Sequence, residues 1–237
     1  MERPVYKRIL LKLSGEVLSG KMGYGMKREK ALSIVQELKE IRELGVEIAI
    51  SMGGGNIFRG TDEDADGMDR STADYIGMLA TLMNSLFLQD SLESIGVPSR
   101  VASSIDVQKV AESYIRRKAI RHLEKGRVVI FACGTGNPFF STDTAAALRA
   151  AEINADVLLK ATKVDGIYSG DPMKDPSCKK YSELTYMDIL RDDLKVMDVS
   201  SVSLCRENNL PIVVFNLLAK GNIKKVVLGE KIGTIVR

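Results

Sequence analysis

Short apolar runs alternate with longer amphipathic segments along most of this chain, and this alternation limits the folds that it can adopt. Residues 127–132 are almost continuously apolar, as in a strand that is covered on both faces, whereas residues 26–44 carry apolar side chains at helical spacing. Strands that alternate with helices predict a mostly parallel sheet between two helical layers. The sequence therefore predicts an α/β fold, a three-layer αβα sandwich that forms a single domain over residues 1–237.

The same periodicity gives bounds for the elements. The predicted strands cover residues 8–13, 46–51, 97–102, 127–132, 156–160, 211–216 and 233–236. The predicted helices cover residues 26–44, 72–95, 107–123 and 200–208, with two more that begin at residues 142 and 222. Residues 75–89 are uncharged but fall short of the ~20 apolar residues that span a bilayer. We predict a buried helix there, with enough apolar surface for part of it to pack against another subunit.

The charge balance and the cysteines exclude several classes of protein. The chain has 34 Lys+Arg against 31 Asp+Glu, and a net charge of +3 gives no general case for binding nucleic acid or membranes. Cys133, Cys178 and Cys205 are widely spaced and odd in number, which indicates reduced thiols rather than a disulfide framework or a zinc site. Lys12 interrupts the first apolar run too early for a signal peptide, so we expect a cytoplasmic protein.

Histidine is nearly absent, because His122 is the single one in the sequence. A histidine-based triad, metal site or proton shuttle would have to rest on that residue. It lies in a basic stretch at helical spacing, which predicts a solvated surface side chain.

Glycine, lysine and hydroxyl residues cluster where four predicted strands end. Ligands of parallel α/β sheets bind at the carboxyl ends of the strands. After the first strand, Lys12, Ser14 and Gly15 could hold phosphate oxygens, although an exposed lysine and a turn glycine explain them about as well. After the second strand, residues 53–55 are consecutive glycines, and Arg59 follows them. Backbone N–H groups without Cβ atoms let a phosphate approach closely, and the alternative is a flexible turn.

The other two clusters follow the strands at 127–132 and 156–160. Residues 134–143 join a strand to a helix with several hydroxyls, and Phe139 stands where a dinucleotide fingerprint would have its third glycine. Asp143 is either a helix-terminal acid or the group that organises lysines around a transferring phosphoryl group. Residues 160–172 supply Lys160, Lys163, Tyr168 and Asp171, and the pattern does not decide which lysine points inward.

These four clusters together favour phosphoryl transfer, which depends mainly on positioning and on cations. The chain has no Walker A pattern and no H-R-D or D-F-G motif, so a kinase of this sequence would be neither a P-loop enzyme nor a protein kinase. Catalysis would rest on Lys12 and Lys160, which neutralise charge, and on Asp143, which holds the two cations in place.

Six segments resemble bacterial UMP kinases of the amino acid kinase family: residues 12–16, 53–60, 68–81, 134–147, 159–166 and 195–198. The resemblance implies ATP-dependent phosphorylation of UMP to UDP in de novo pyrimidine nucleotide biosynthesis, with Mg²⁺ bound to the nucleotide and no metal site of the protein's own. It also implies a cytoplasmic homohexamer that GTP activates and UTP inhibits. Ser141 stands where the family usually has Thr, and it keeps the hydroxyl.

The resemblance assigns ligands residue by residue. It implies ATP binding by Lys12, Leu13, Ser14, Gly15, Gly55, Arg59, Thr162, Lys163, Tyr168 and Asp171. It implies UMP binding by Gly54, Asp74, Thr135, Gly136, Asn137, Pro138, Phe139, Phe140, Ser141 and Thr142. The segment linked to GTP corresponds to Gly20, Lys21, Met22, Gly23, Tyr24 and Gly25, where Lys21 and Met22 depart from the family's usual acidic and polar pair.

Two other functions fit the same fold. An amino-acid or carbamate kinase would share the ATP site but would need a pocket for a carboxylate, and Asp74 with Phe139 and Phe140 suits a nucleotide better. A non-catalytic nucleotide sensor would be expected to lack one of the charged groups at the transfer point, and the sequence has all of them.

Overall fold

The computed structural model describes residues 3–20, 23–58, 66–172, 174–175 and 177–237. The strands in this part of the chain are β1 (Arg8–Leu13), β2 (Glu47–Met52), β3 (Ser99–Ser103), β4 (Glu112–Ser113), β5 (Val128–Ala132), β6 (Val157–Thr162), β7 (Ile167–Tyr168), β8 (Lys180–Tyr181), β9 (Glu183–Leu184), β10 (Ile212–Asn216) and β11 (Thr234–Val236). The α-helices are α1 (Arg28–Glu43), α2 (Arg70–Ser94), α3 (Arg116–Glu124), α4 (Thr142–Glu152), α5 (Tyr186–Arg191), α6 (Val199–Glu207) and α7 (Asn222–Val227), and a 3-10 helix covers Gly15–Leu18.

Within the described residues, nine strands form one sheet in the order β4-β3-β5-β2-β1-β6-β10-β11-β9. The strands run parallel except for the antiparallel pair of β10 and β11. Strands β7 and β8 form a separate antiparallel hairpin. The prediction of a mostly parallel central sheet is confirmed. Because β5, β2, β1 and β6 are neighbours, the four clusters of glycine, lysine and hydroxyl residues follow adjacent strand ends.

Two hydrophobic cores cover the two faces of the sheet. On β1, Ile9 and Leu11 belong to the core that includes α1, α2 and α7, whereas Leu10 belongs to the core that includes α3, α4 and α6. This alternation follows from the pleat of a strand, which turns successive side chains to opposite faces. It produces the three layers that the sequence predicts.

The prediction of one helix over residues 107–123 is wrong in its first half. Residues 107–111 make a single helical turn, with the N–H groups of Val110 and Ala111 bonded to Val107 O, and the chain then pairs with β3 as β4. The apolar residues at helical spacing had favoured a helix. The free edge of β3 offers backbone partners to residues 112–113, and this tertiary pairing outweighs the local pattern.

The expectation for His122 is also wrong. Its side chain is only 13% exposed, and Nε2 lies 3.3 Å from Glu112 Oε2. Nδ1 lies 2.9 Å from a guanidinium nitrogen of Arg127. Because β4 brings Glu112 against α3, the histidine has charged partners that the helical pattern did not reveal.

Two further findings concern the thiols and the longest helix. Cys133, Cys178 and Cys205 are all free, as the odd number predicts. No helix among the described residues has both the length and the apolar character that crossing a bilayer would require.

Candidate active site

Lys12 and Lys160 lie side by side because β1 and β6 are paired in parallel register. Leu10 pairs with Leu158 and Lys12 pairs with Lys160, so both lysines point to the face of the sheet that α4 covers. Two like charges on adjacent strands repel each other unless a counter-ion lies between them. The register therefore creates a requirement for a nearby carboxylate.

Asp143 supplies that carboxylate from the first turn of α4. Its Oδ1 lies 2.8 Å from Lys12 Nζ, and its Oδ2 lies 2.6 Å from Lys160 Nζ. Lys160 also donates a hydrogen bond to Val196 O. Helix α4 begins here because the Ser141 hydroxyl accepts from the N–H groups of Asp143 and Thr144, at 3.0 and 3.1 Å. One carboxylate thus bridges two cations at the start of a helix.

The three side chains of this cluster are largely buried, which strengthens the electrostatic interactions between them. The side chains of Lys12, Asp143 and Lys160 are 15%, 16% and 12% exposed. Burial alone would raise the pKa of Asp143, but the charges of Lys12 and Lys160 outweigh it and hold that pKa below its ordinary value. Burial lowers the pKa of Lys160, and the charge of Asp143 offsets part of that shift.

Lys163 lies apart from this cluster. It follows β6 in a turn, its side chain is 73% exposed, and Nζ lies 2.5 Å from Glu16 Oε2. The question that the sequence left open has a geometric answer, because Lys160 points inward and Lys163 points outward.

A cavity of about 290 Å³ lies between the glycine-rich loop, α2 and the start of α4. Six residues predicted to bind UMP line it: Gly54, Asp74, Thr135, Phe140, Ser141 and Thr142. Gly55, which is predicted to bind ATP, lines the same cavity. Asp143 follows Thr142 directly in the chain, so the Lys12–Asp143–Lys160 cluster lies next to the end of the cavity that Thr142 lines. Backbone N–H groups at a helix start favour an anion there.

The other four residues predicted to bind UMP lie in the loop beyond this cavity. Phe139 has a φ of 71°, and its N–H donates to Asp74 Oδ2 at 2.8 Å. Gly136 has a φ of 83° and packs against Ser104 so closely that a Cβ would lie 2.8 Å from the Ser104 carbonyl oxygen. Gly136 and Phe139 therefore help to fix the shape of the loop. Asn137 and Pro138 also lie in this loop.

The residues predicted to bind ATP lie in different parts of the structure. A second cavity, of about 520 Å³, is lined by Thr162, Tyr168 and Asp171. Val196, whose carbonyl group accepts from Lys160, lines it as well. The Leu13 side chain is buried in the core, and Ser14 caps the 3-10 helix by accepting from Glu16 N–H at 3.3 Å. Gly15 is packed so tightly that a Cβ would lie 2.1 Å from Asn56 Oδ1.

Three predicted residues, Arg59, Lys21 and Met22, lie outside the described residues. Of the rest of the segment linked to GTP, Gly25 donates its N–H to Asn56 O at 2.8 Å, and Asn56 Nδ2 donates to Gly25 O at 2.9 Å. Tyr24 is exposed, and Gly20 and Gly23 are joined by a backbone hydrogen bond of 3.0 Å. This segment is therefore tied to the glycine-rich loop.

Asp198 belongs to the site although sequence reasoning gave it no role. Its carboxylate accepts from the hydroxyl groups of Ser141 and of Thr144, the latter at 2.7 Å. It also caps α6 by accepting from Ser201 N–H at 3.0 Å. These hydrogen bonds lower its pKa against the opposing effect of burial. The signal in the sequence was an aspartate just before a helix, which by itself indicates only a cap.

A cavity of about 590 Å³ beside β3 and β4 contains none of the predicted site residues. It is lined by polar and charged side chains such as Arg100, Glu112 and Lys118. Predicted site residues line the cavities of about 290 Å³ and 520 Å³ instead.

Comparison with known proteins agrees with this architecture. A model of the amino acid kinase family matches residues 7–216. Among solved structures, the chain is similar to UMP kinase from Bacillus anthracis, with 43% sequence identity and a TM-score of 0.95 over 99% of this chain and 97% of that one.

Two further structures extend the comparison. UMP kinase from Ureaplasma parvum has 34% identity and a TM-score of 0.92, over 100% of this chain and 99% of that one. Uridylate kinase from Archaeoglobus fulgidus has 28% identity and a TM-score of 0.76, over 97% of this chain and 99% of that one. The family match spans most of the chain, and these similarities extend over nearly all of it. The chain therefore belongs to the amino acid kinase family.

Proposed function

We propose that this chain is a UMP kinase, a transferase that moves the γ-phosphoryl group of ATP to UMP and forms UDP and ADP. The observation that carries the proposal is the buried Lys12–Asp143–Lys160 cluster next to the cavity between the glycine-rich loop and α4. The similarity to UMP kinases over nearly the whole chain supports the choice of acceptor. The pathway would be pyrimidine nucleotide biosynthesis.

The reaction needs no proton-abstracting residue. A phosphate oxygen of UMP, already an anion near neutral pH, forms a bond to the γ-phosphorus of ATP. The bond between that phosphorus and the bridging oxygen of ADP breaks. Negative charge spreads over the transferring group, and two lysines against one carboxylate leave a net positive charge to meet it. Asp143 keeps both ammonium groups in place before the nucleotides bind.

ATP would occupy the cavity that Thr162, Tyr168 and Asp171 line, with its phosphates directed toward Lys12 and Lys160. The first cavity follows the carboxyl ends of β2 and β5 and the second follows that of β6, and only β1 lies between β2 and β6 in the sheet. Magnesium would enter on the phosphate oxygens of ATP and neutralise part of their charge. Across the described residues, no group of three or more His, Cys, Asp or Glu side chains is placed to hold a metal ion.

The proposal is tested by ADP release with ATP and one acceptor at a time. We expect turnover with UMP, with CMP a much poorer acceptor and no turnover with acetylglutamate or carbamate. Turnover of acetylglutamate or carbamate alone would replace this proposal by an amino-acid or carbamate kinase. Nucleotide binding without any turnover would indicate a sensor.

Assembly into a homohexamer is part of the proposal. Tyr75, Leu79 and Met83 are exposed at spacings of four residues along α2, so they form one apolar stripe on the side of the helix away from the core. The cost of leaving this stripe in water supports an interface between copies of the chain. Light scattering at micromolar concentration should give about six times the 26.0 kDa chain mass. A monomer would contradict the assembly.

Activation by GTP through residues 20–25, inhibition by UTP and a cytoplasmic location stay predictions. The hydrogen bonds between Gly25 and Asn56 support a link from that segment to the glycine-rich loop. UMP saturation curves with and without GTP or UTP test the regulation, and unchanged curves would remove it.

A further inference from the structure

Thr81 and Asn84 are buried polar side chains of helix α2, as are Ser85 and Ser91. Thr81 and Asn84 are three residues apart, so they lie on neighbouring parts of one helix face. A buried polar side chain is costly unless it is hydrogen-bonded. Ser85 and Ser91 donate to carbonyl groups of α2 itself, whereas Thr81 and Asn84 also bond to two different loops that border the proposed UMP cavity.

Asn84 holds the glycine-rich loop. Its Nδ2 donates to Gly53 O at 2.8 Å and to Asn56 Oδ1 at 2.7 Å. Its Oδ1 accepts from Asn56 Nδ2 at 3.1 Å. The two asparagines are buried, so this pair of amides fixes both ends of the loop at residues 53–56.

The same loop rests directly on the backbone of α2. A Cβ on Gly54 would lie 2.8 Å from Gly77 O and 3.1 Å from Thr81 N. Such approaches leave no room for a side chain, and Gly54 lines the cavity. The position of the phosphate-facing glycines is therefore set by the turn of α2 between Gly77 and Asn84.

Thr81 holds the second loop at its first residue. Its Oγ1 accepts from Cys133 N–H at 2.8 Å and donates to Met78 O at 2.7 Å. Cys133 has a φ of 62°, a conformation that an L-residue with a Cβ adopts at a cost. The Thr81 hydroxyl thus secures a strained residue where β5 ends and the loop of residues 134–141 begins. Thr81 borders the cavity, but these two bonds occupy its hydroxyl.

We infer that Thr81 and Asn84 are positioning residues that hold the two loops of the UMP cavity at a fixed separation on one helix. Thr81 acts through Cys133 on the loop that leads to the start of α4. Asn84 acts through Gly53 and Asn56 on the glycine-rich loop. This inference rests on the proposed function for its kinetic consequences, and its structural part is independent of that function.

The kinetic test uses variants that remove the hydrogen bonds of one side chain and keep a similar shape. Thr81→Val deletes the hydroxyl, and we expect the KM for UMP to rise about 10-fold because the buried Cys133 N–H loses its acceptor. Thr81→Ser keeps the hydroxyl and should restore most of the affinity. Asn84→Leu should lower kcat and raise the KM for both nucleotides, since the glycine-rich loop serves both phosphates.

Ser91→Ala is the matched control. Ser91 is buried in the same helix, and its hydroxyl donates to Phe87 O within α2. If this variant changes the KM for UMP as much as Thr81→Val does, or if Thr81→Ser is as impaired as Thr81→Val, the effect is general destabilisation and the inference is wrong. Should Asn84→Leu fail to fold, the comparison of the two Thr81 variants decides.

Backbone amide exchange gives a readout that does not depend on activity. Thr81→Val should speed exchange at residues 133–136 and leave residues 53–56 as in the unmodified protein, whereas Asn84→Leu should do the reverse. Equal acceleration in both loops in each variant would overturn the inference. If the unmodified protein does not phosphorylate UMP, the proposed function fails while the exchange pattern still decides this inference.

Discussion

Two places in this molecule put a carboxylate among cations, and they differ in almost everything else. Asp143 lies between Lys12 and Lys160 at the carboxyl ends of two central strands, and all three side chains are at least 80% buried. Glu112 lies beside His122, Lys118 and Arg100 at the edge of the sheet, where the lysine side chain is 57% exposed. Both carboxyl groups have a lowered pKa, although burial opposes the shift in each case.

The difference lies in the surroundings and not in the charges themselves. Water screens the Glu112 cluster, so its ion pairs contribute little individually. The Asp143 cluster has lost most of its water, which strengthens each interaction and makes the loss of one partner costly. We therefore predict that the buried Asp143 cluster, and not the Glu112 cluster, is the reaction centre.

Asp143→Asn should have the largest effect. The change keeps the size of the side chain and removes the charge that holds Lys12 and Lys160 in place. We expect kcat to fall by roughly 10²-fold or more, as when one preorganised transition-state contact is lost. The KM for UMP should change much less, because the lost interaction acts mainly in the transition state. Steady-state kinetics measure both, and a variant with normal kcat would refute the mechanism.

The variants Lys160→Met and Lys163→Met distinguish the roles of two lysines that lie close together in the sequence. Lys160→Met removes the buried cation that we propose neutralises the transferring group, and we expect a loss in kcat of roughly 10²-fold. Lys163→Met breaks an exposed pair with Glu16, which is worth about 0–1 kcal/mol. Its kcat should stay close to that of the unmodified enzyme. Equal losses in the two variants would show that the inward position of Lys160 has no catalytic meaning.

The pH dependence of kcat should also show the loss of the proton from Lys160. Burial lowers the pKa of Lys160 below the ordinary value of a lysine, so activity should fall on the alkaline side at a lower pH than an exposed lysine would allow. The charge of Asp143 raises that pKa, and Asp143→Asn should therefore move the alkaline limb to lower pH. A limb that stays in place in this variant would mean that another group limits activity.

His122→Asn should have the smallest effect on activity. The histidine lies in the Glu112 cluster, away from the cavities that hold the predicted site residues, so kcat and both KM values should remain unchanged. Its contacts with Glu112 and Arg127 are partly buried, so we expect a loss of about 1 kcal/mol in the free energy of unfolding. An inactive His122→Asn enzyme that still folds would refute a mechanism without a proton-abstracting residue.

Sequence reasoning succeeded where the answer is local. Seven of the strands and the long helices follow from periodicity, and their chain direction places the clusters at one edge of a parallel sheet. It failed at residues 107–115, because pairing of β4 with β3 is a contact between segments. It also gave no role to Thr81 and Asn84, since a buried polar side chain in an apolar helix reveals its partner only in three dimensions.

Residue type and spacing predicted the layered α/β architecture, the loops that carry glycine and hydroxyl groups, and catalytic roles for Lys12, Asp143 and Lys160, without deciding whether Lys160 or Lys163 points inward. These depend on residue type and on the spacing between near neighbours. Only the tertiary structure decided that Lys160 and not Lys163 points toward Asp143, and that Asp198 holds Ser141 from 57 positions away. Strand register and helix packing bring such groups together, and both depend on contacts between segments that lie far apart in the chain.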